Sequence, residues 1–377
     1  MFVRDPVRIE VSDDLGALDA ALEELPKGAG VYLLTPATGD PYLGRTSMLR
    51  RRLKRLLRER AATSRLLNLR RVVRTIEFWS TGSSLESSFL FYTLARSNFP
   101  DRYLEILKLR YPSYVKLVLS NPFPRTQITT RVEGAASRYY GPFRSRALAE
   151  EFEHQVLDLF QLRRCQEDLV PSPEHPGCIY GEMNMCLRPC QQVVGVSEYA
   201  SEARRIEEFL ATNGKQMLHA ATTGRDQLSE GLDFEGAARE HKRVERIEQA
   251  IKARDDLACD VKSLHGIAVT PAVAQDAVAL WFMRSGVWHG GQELDIGMHG
   301  EEPLSLDARL RSAIANLTAC APADTRDRQD HIALLVRWYF SSWREGEWIS
   351  IPDLNKPPIR RLVGSVSRVA GAASHAN

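Results

Sequence analysis

Four cysteines lie within 26 residues of a Pro- and Gly-rich stretch in the middle of the chain: Cys165, Cys178, Cys186 and Cys190. Four thiols this close together typically bind zinc or an iron–sulfur cluster. The spacing C-x12-C-x7-C-x3-C has no C-x2-C knuckle, which structural zinc sites usually show, whereas a [4Fe–4S] cluster accepts irregular spacing. We expect a metal to hold this segment, which has few apolar residues; four unliganded thiols are the remaining alternative.

A second candidate site is the run between Arg45 and Arg74, which contains twelve Arg or Lys residues and a single acid, Glu59. A solvated helix face usually includes glutamates that pair with the basic residues four positions away. Their absence indicates contact with a polyanion such as DNA. The residues expected to contact it are Arg50, Arg51, Lys54, Arg55 and Arg58.

The remaining composition is that of an ordinary soluble protein, with 377 residues and a net charge of +2. No apolar run reaches the roughly 18 residues that a membrane span needs, and the residues after Met1 lack the apolar region of a signal peptide. We therefore expect a cytoplasmic protein without a membrane contact. Cys259 and Cys320 stand alone and are predicted to be small core residues.

Hydrophobic patterning predicts a mixed α/β protein. The first part of the chain indicates strands at 31–35, 41–43 and 75–79 and helices at 64–74 and 84–97, with a further helix that Ser47 caps and that runs to about 60. Strands at 114–119 and 126–131 and a helix at 145–160 come before the cysteine segment. Residues 197–258 indicate a polar helical hairpin, and residues 262–345 indicate strands followed by helices.

The domain boundaries follow from these elements. We expect an N-terminal extension at 1–25, a small α/β domain at 26–100 and a linking region with the cysteines at 101–195. A helical domain at 196–258, an α+β module at 259–350 and a basic flexible tail at 351–377 complete the chain.

Three stretches, in this order, resemble the UvrC family of DNA-repair proteins. Gly30-Val31-Tyr32 and Tyr42-Leu43-Gly44-Arg45, with Arg52 behind them, look like the paired strands of a GIY-YIG nuclease domain. The run from Tyr139 to Phe143, with the cysteines after it, resembles the middle of UvrC. The run from Leu228 to Ala238 resembles the UVR motif, a helical hairpin that contacts UvrB. We expect no counterpart of UvrC's RNase H-like half and helix-hairpin-helix units in this sequence.

The resemblance implies roles for individual residues. Tyr42 matches the proposed base of the nuclease, Tyr32 its supporting hydroxyl, and Arg52 the helix arginine. Arg45 stands where the family has a lysine, which keeps the charge but changes its shape. Mg²⁺ or Mn²⁺ would be needed only if this site were active, because a metal holds the phosphate and the leaving oxygen in such a reaction.

The metal-binding glutamate of that pattern has no obvious match. Counting back from the Pro100 to Tyr103 stretch, which resembles the family's Pro-Arg-Tyr, its position falls on Phe91. A phenyl ring cannot coordinate Mg²⁺, which requires oxygen ligands. Glu86 matches a different glutamate of the pattern, and Glu77 is the other nearby acid. We therefore predict a degenerate nuclease site that keeps its basic surface.

The resemblance also favours a [4Fe–4S] cluster over zinc at the cysteines and a UvrB-like partner at the hairpin. Leu232, Phe234, Ala237 and Ala238 are the residues expected to meet that partner. The alternatives are that the chain's own second helix, at about 243–252, covers this strip, that the nuclease makes one incision, or that the chain is a non-enzymatic iron–sulfur regulator that binds DNA.

Overall fold

The computed structural model describes residues 5–11, 15–58, 69–133, 137–297, 305–318 and 327–375. In chain order its elements are β1 (Val7–Glu10), α1 (Leu15–Glu24), β2 (Gly30–Pro36), β3 (Tyr42–Thr46), α2 (Leu49–Leu56), α3 (Leu69–Val72), β4 (Val73–Ser80), α4 (Ser84–Asn98), α5 (Tyr103–Leu107), β5 (Ser113–Val118), β6 (Arg125–Thr129), β7 (Ser137–Phe143), α6 (Arg146–Leu157), α7 (Ile179–Glu182), α8 (Val196–Thr212), α9 (Lys215–Glu230), α10 (Phe234–Lys252), β8 (Cys259–Asp260), β9 (Gly266–Pro271), β10 (Ala277–Arg284), β11 (Val287–Asp295), α11 (Leu306–Thr318), α12 (Arg328–Tyr339), β12 (Glu347–Ser350) and α13 (Ile359–His375). The mixed α/β fold predicted from the sequence is confirmed.

The chain divides into two units. The first contains Met1–Arg110, His265–Asp327 and Arg337–Asn377, and the second contains Tyr111–Leu264 and Arg328–Val336. The predicted α/β domain and the predicted C-terminal module thus belong to one unit. The helical region shares the other unit with the cysteine segment.

One antiparallel sheet of the first unit has the strand order β1-β4-β2-β3, which leaves β3 at an edge. On one face of it Tyr32, Leu34, Ile76 and Phe78 pack with α1 and α2 in a single apolar cluster. On the other face Val31, Leu33 and Trp79 pack with Leu90 of α4. The alternation of side chains along β2 therefore assigns each helix to its own face of the sheet.

The second sheet of this unit, β11-β10-β9-β12, is also antiparallel. It buries Ile267, Val269, Leu280 and Phe282 against α11 and α13. The rings of Phe89 on α4 and Trp281 on β10 meet edge to face with 5.8 Å between their centroids. Helix α4 thus contacts both sheets of the unit, which explains why its sequence is apolar on more than one side.

Both ends of the chain depart from the sequence predictions. Strand β1 pairs with β4, and Leu18 and Leu22 of α1 are buried, so the part of 1–25 that the structure describes belongs to the first sheet. The prediction of a flexible tail at 351–377 is wrong. Helix α13 occupies residues 359–375 and buries Leu362 and Val366, because its apolar residues recur at helical spacing.

Helix α2 also differs from its prediction. It begins at Leu49 and ends at Leu56, with Met48 at its N-cap position and no side-chain cap. Ser47 is therefore not the cap, and the Thr46 hydroxyl accepts from the Met48 amide instead, at 3.1 Å. Leu49, Leu53 and Leu57 are buried, as their stripe predicted. The helix predicted at 64–74 lies partly outside the described residues, and its visible part is α3, followed by β4.

The second unit has an antiparallel sheet of order β6-β5-β7-β8. Its core joins this sheet and α6 to α8, α9 and α10, through residues such as Phe152, Tyr199, Phe209 and Ile247. The helical region is therefore three helices that share the core of the sheet, where the sequence predicted one hairpin. Among the described helices, none is both long and apolar enough to cross a membrane.

Candidate functional site

The β2–β3 hairpin brings the two candidate tyrosines together. Tyr32 lies opposite Gly44, and Tyr42 lies opposite Leu34. Residues directly opposite each other share a face of the sheet, so both rings project on the side that α2 covers. Their centroids are 6.2 Å apart. Tyr32 is fully buried and Tyr42 is 42% exposed, so only Tyr42 can meet a substrate from solvent.

Gly44 makes room for the Tyr32 ring. A Cβ atom at this position would collide with the Tyr32 hydroxyl and its ring carbon. The glycine is therefore needed for a close approach of a side chain to the backbone. The sequence prediction used Gly44 only as part of a motif and missed this positional role.

Helix α2 aims Arg52 at the tyrosines. Its Nε donates to the Tyr32 hydroxyl at 3.2 Å, while the buried Leu49 and Leu53 hold the helix against the sheet. Burial raises the pKa of Tyr32 above its usual 10.0, and the hydrogen bond from Arg52 acts in the opposite direction. Tyr32 therefore remains protonated near neutral pH and can donate a hydrogen bond. Tyr32, Tyr42 and Arg52 form one cluster on this face of the sheet.

Arg45 projects from the opposite face of β3. It lies opposite Val31, whose side chain packs toward α4. Its Nη1 donates to the Ser88 hydroxyl at 2.7 Å, and its guanidinium carbon is 5.5 Å from the centroid of the Phe91 ring. Ser88 and Phe91 are three residues apart on α4 and so share a helix face. The structure thus brings Phe91 beside Arg45, and Ser88 is a site residue that the sequence prediction missed.

The two nearby acids, Glu86 and Glu77, do not supply a metal ligand beside Arg45. Glu86 is buried and accepts from the Gly82 amide at 2.7 Å, while the Ser83 hydroxyl accepts from the Glu86 amide at 3.2 Å. This arrangement is a variant of the capping box at the start of α4, in which the glutamate accepts from the amide before the N-cap residue Ser83. Glu77 on β4 is separated from β3 by β2, which places it about 10 Å away from the edge strand. Neither carboxylate therefore takes the place of the metal ligand beside Arg45.

The basic residues on α2 and just after it fall into two groups, those that contact another part of the protein and those exposed to solvent. Arg50 donates to the Leu25 carbonyl, and Lys54 pairs with Glu23. Arg51, Arg55 and Arg58 are exposed. Further along, Arg70 is buried and pairs with Asp19 at 2.8 and 2.9 Å, so it does not reach solvent as the charge run implied. Arg60 and Arg65 lie outside the described residues.

The four thiols of the cysteine segment differ in burial: Cys186 and Cys190 are buried, Cys165 is partly buried and Cys178 is exposed. The pKa of the Cys186 thiol is raised to about 11, first by burial and then by the charges of Cys165, Cys178 and Cys190. The Arg188 amide donates to Cys186 Sγ at 3.4 Å, and Arg163 Nη1 donates to Cys165 Sγ at 3.3 Å. Donors aimed at sulfur fit thiolate ligands. Within the described residues no three potential ligands stand in a metal-binding arrangement.

The tip between α9 and α10 presents two large apolar side chains to solvent. Leu232 is 73% exposed and Phe234 is 67% exposed. Asp233 caps α10 by accepting from the Gly236 amide at 2.9 Å, which fixes the position of Phe234 at the start of the helix. Ala237 is partly buried and Ala238 is exposed. The second helix of the hairpin therefore does not cover Leu232 or Phe234.

Comparison with known proteins gives consistent matches. A family profile described as the UvrC/Cho excinuclease middle domain matches residues 113–209. The UvrABC system protein C of Nitratidesulfovibrio vulgaris is 28% identical over 275 residues, which are 72% of this chain and 40% of that protein. The protein of the same name from Ruminiclostridium cellulolyticum is 28% identical over 273 residues, 70% of this chain and 44% of that protein.

A longer match reaches almost the whole chain. The UvrABC system protein C of Acetivibrio thermocellus is 24% identical over 361 residues, 93% of this chain and 56% of that protein. The chain thus spans about half the length, or less, of these curated relatives. No solved structure matches.

Proposed function

Since the chain belongs to the UvrC family, we propose that it acts in nucleotide excision repair as a DNA-binding protein whose nuclease-like site no longer cleaves. The site would contact the DNA backbone with Arg52 and with the exposed arginines of α2. Positive charge of this kind binds phosphates without regard to sequence.

The main support for a site that does not cleave is the position of Phe91. Its ring lies 5.5 Å from the Arg45 guanidinium, at the position where the family pattern expects the metal ligand. An aromatic ring offers a cation–π contact to an arginine but no oxygen to Mg²⁺ or Mn²⁺. Glu86, the nearest acid on the same helix, is held by the capping box. The arrangement therefore supports binding of the phosphate without activation of the leaving oxygen.

A structure-specific endonuclease that makes one incision is the competing function. The intact cluster of Tyr32, Tyr42 and Arg52 favours it, because these groups would position and activate a water. This alternative requires a metal ligand from outside the described residues or from a partner.

The experiment that separates the two functions uses a labelled duplex with a bulky lesion, with UvrA, UvrB and Mg²⁺ or Mn²⁺ present. Binding is followed by fluorescence anisotropy and incision on a denaturing gel, for the native chain and for Tyr42→Phe. We expect salt-dependent binding by both and incision by neither. Incision by the native chain that Tyr42→Phe abolishes would establish the endonuclease instead.

A UvrB-like partner at the tip of the α9–α10 hairpin is part of the proposal. Support comes from Leu232 and Phe234, which are exposed at the start of α10, and from Ala237 and Ala238 in the first turns of that helix. An exposed aromatic anchor next to small residues is suited to the groove of a partner helix pair.

The cysteine segment is proposed to hold a [4Fe–4S] cluster, with zinc as the alternative. Cys165, Cys178, Cys186 and Cys190 would be its ligands, and the donors from Arg163 and Arg188 would tune it through their contacts to sulfur. When bound, such a cluster supplies structural cohesion and redox capacity to the segment. Iron and sulfide assays on anaerobically purified protein test the assignment, and stoichiometric zinc without sulfide would overturn it.

A further inference from the structure

Strand β1 forms an exposed edge of the first sheet. It pairs with β4 on one side, and among the described residues no strand pairs with its other side. Three of its four residues, Val7, Arg8 and Glu10, are exposed. Such an edge presents unpaired N–H and C=O groups, which makes it a template for another strand.

The backbone groups that face this open edge belong to Arg8 and Glu10. The Val11 amide donates to the Arg74 carbonyl at 2.8 Å, so the backbone of Val11 faces β4. In an antiparallel pair, alternate residues direct both their N–H and their C=O groups toward the same neighbouring strand. Ile9 therefore also faces β4, while Arg8 and Glu10 direct their backbone groups away from it.

The residues of this strand are complementary to themselves. The run is Val7-Arg8-Ile9-Glu10-Val11. An antiparallel copy centred on Ile9 would place Arg8 opposite Glu10 of the second copy, and Val7 opposite Val11 of the second copy. Arg8 and Glu10 would then be the hydrogen-bonded pair of the ladder, as their outward backbone groups require.

The side-chain charges agree with this register. Within one copy Arg8 Nε donates to Glu10 Oε1 at 2.7 Å, and both side chains are exposed. Charged residues on an edge strand usually oppose pairing with another chain. Here the two charges have opposite signs and stand two residues apart, so self-pairing brings unlike charges together, which stabilises a cross-strand pair. The exposed Val7 would also gain an apolar neighbour.

We propose that β1 pairs with β1 of a second copy of this chain, in the antiparallel register centred on Ile9. The two four-stranded sheets then form one continuous sheet of eight strands. The contact is isologous, because a two-fold axis perpendicular to the sheet relates the copies. Helix α2 of each copy therefore lies on the same face of the joined sheet. This inference does not depend on the proposed function.

The association is weak and depends on concentration. A pair of five-residue strands is small beside the surface of about 800 Å² per partner that stable complexes bury. Dimers therefore form at high protein concentration.

The first test is sedimentation velocity over a concentration series, for the native chain, Arg8→Glu, Glu10→Arg and the double variant that carries both changes. We expect the native chain to shift toward the mass of a dimer. Each single change places like charges opposite each other at two symmetric positions, and should weaken association about tenfold. The double variant restores unlike charges and should regain the native association.

The matched control is Arg146→Glu on α6, whose side chain is exposed and whose change of net charge equals that of Arg8→Glu. It should associate as the native chain does. A native chain that stays monomeric at every concentration would overturn the inference. So would a double variant that associates as weakly as the two single variants.

The second test determines the register by disulfide cross-linking under mild oxidation, with Ile9→Cys and Val7→Cys. In the proposed register the two Cα atoms at position 9 are about 4.5 Å apart, which a disulfide can span. The two Cα atoms at position 7 are roughly 14 Å apart, which it cannot. We expect a covalent dimer from Ile9→Cys alone, above the background that the native cysteines give in both variants. Equal yields from the two variants would overturn the inference.

Discussion

At the scale of single residues, the candidate site depends on which side of strand β3 a side chain occupies. Tyr42 and Arg45 are three positions apart, so the alternation of the strand places them on opposite faces. The motif spacing predicted the cluster of Tyr32, Tyr42 and Arg52, which the structure brings together. The sequence could not indicate that Arg45 would bond to Ser88 and lie over the Phe91 ring, since these contacts depend on how α4 packs on the sheet.

Substitution of Gly44 by alanine tests the approach of Tyr32 to strand β3. The added methyl group would collide with the Tyr32 ring, so we expect a loss of about 1–3 kcal/mol in the free energy of unfolding. Urea unfolding measures it. Gly28→Ala is the matched control, because a Cβ there would meet nothing within 4 Å. A similar stability for the two variants would show that Tyr32 is not held against the backbone of Gly44.

At the scale of elements, the sequence predicted the strands and helices of the first sheet well and the ends of the chain poorly. Strands β2 and β4 carry runs of buried apolar residues between turns, which is a strong local signal. Strand β1 is short and mostly exposed, so only its pairing with β4 identifies it. For α13, the small residues Ser and Ala concealed a helical spacing of Ile359, Leu362 and Val366 that was already present.

The hairpin of α9 and α10 offers a prediction at this scale. Phe234→Asp should weaken binding to a UvrB-type protein by about 2 kcal/mol or more, which is about thirtyfold in Kd, because it removes the exposed aromatic anchor. Helix α10 should persist, since an acidic residue suits the first turn of a helix. Isothermal titration calorimetry provides the measurement.

The control for the hairpin is Trp343→Asp, which removes another large exposed ring, 75% accessible, in the other unit. We expect it to bind as the native chain does. If Phe234→Asp also binds normally, the exposed tip is not the contact with that partner.

At the scale of the whole molecule, the interior is rich in buried phenols. Tyr32, Tyr114, Tyr140 and Tyr199 are all buried, and burial raises the pKa of each above its usual 10.0. Tyr32 lies in the first unit and the other three lie in the second, so the ionisation of these tyrosines affects the stability of both units. The sequence shows where the tyrosines are but not which of them are buried, because burial follows from the packing of each sheet against its helices.

The raised pKa values predict a loss of stability in alkali. In the unfolded chain tyrosines ionise near their usual pKa of 10.0, while the folded chain keeps these four protonated. The unfolded state therefore binds fewer protons above about pH 10, and the free energy of unfolding falls as the pH rises through that range. Urea unfolding at a series of pH values measures the slope.

Tyr114→Phe provides the comparison for this slope, because the Tyr114 hydroxyl is buried and has no hydrogen-bond partner among the described residues. The substitution should cost little near neutral pH and should make the alkaline slope shallower than that of the native chain. Identical slopes for the two proteins would contradict the assignment of Tyr114 as a buried phenol.

We propose that the chain keeps the nucleic-acid surface of a UvrC-type nuclease and that Phe91 stands where the metal ligand of such a nuclease would be. The most direct test of this proposal is incision of a lesion-containing duplex, with UvrA, UvrB and Mg²⁺ or Mn²⁺, by the native chain, Phe91→Glu and Phe91→Gln. We expect that only Phe91→Glu gains metal-dependent cleavage, because only a carboxylate supplies a charged oxygen ligand beside Arg45. Cleavage by the native chain as fast as by Phe91→Glu would show that Phe91 does not replace a metal ligand.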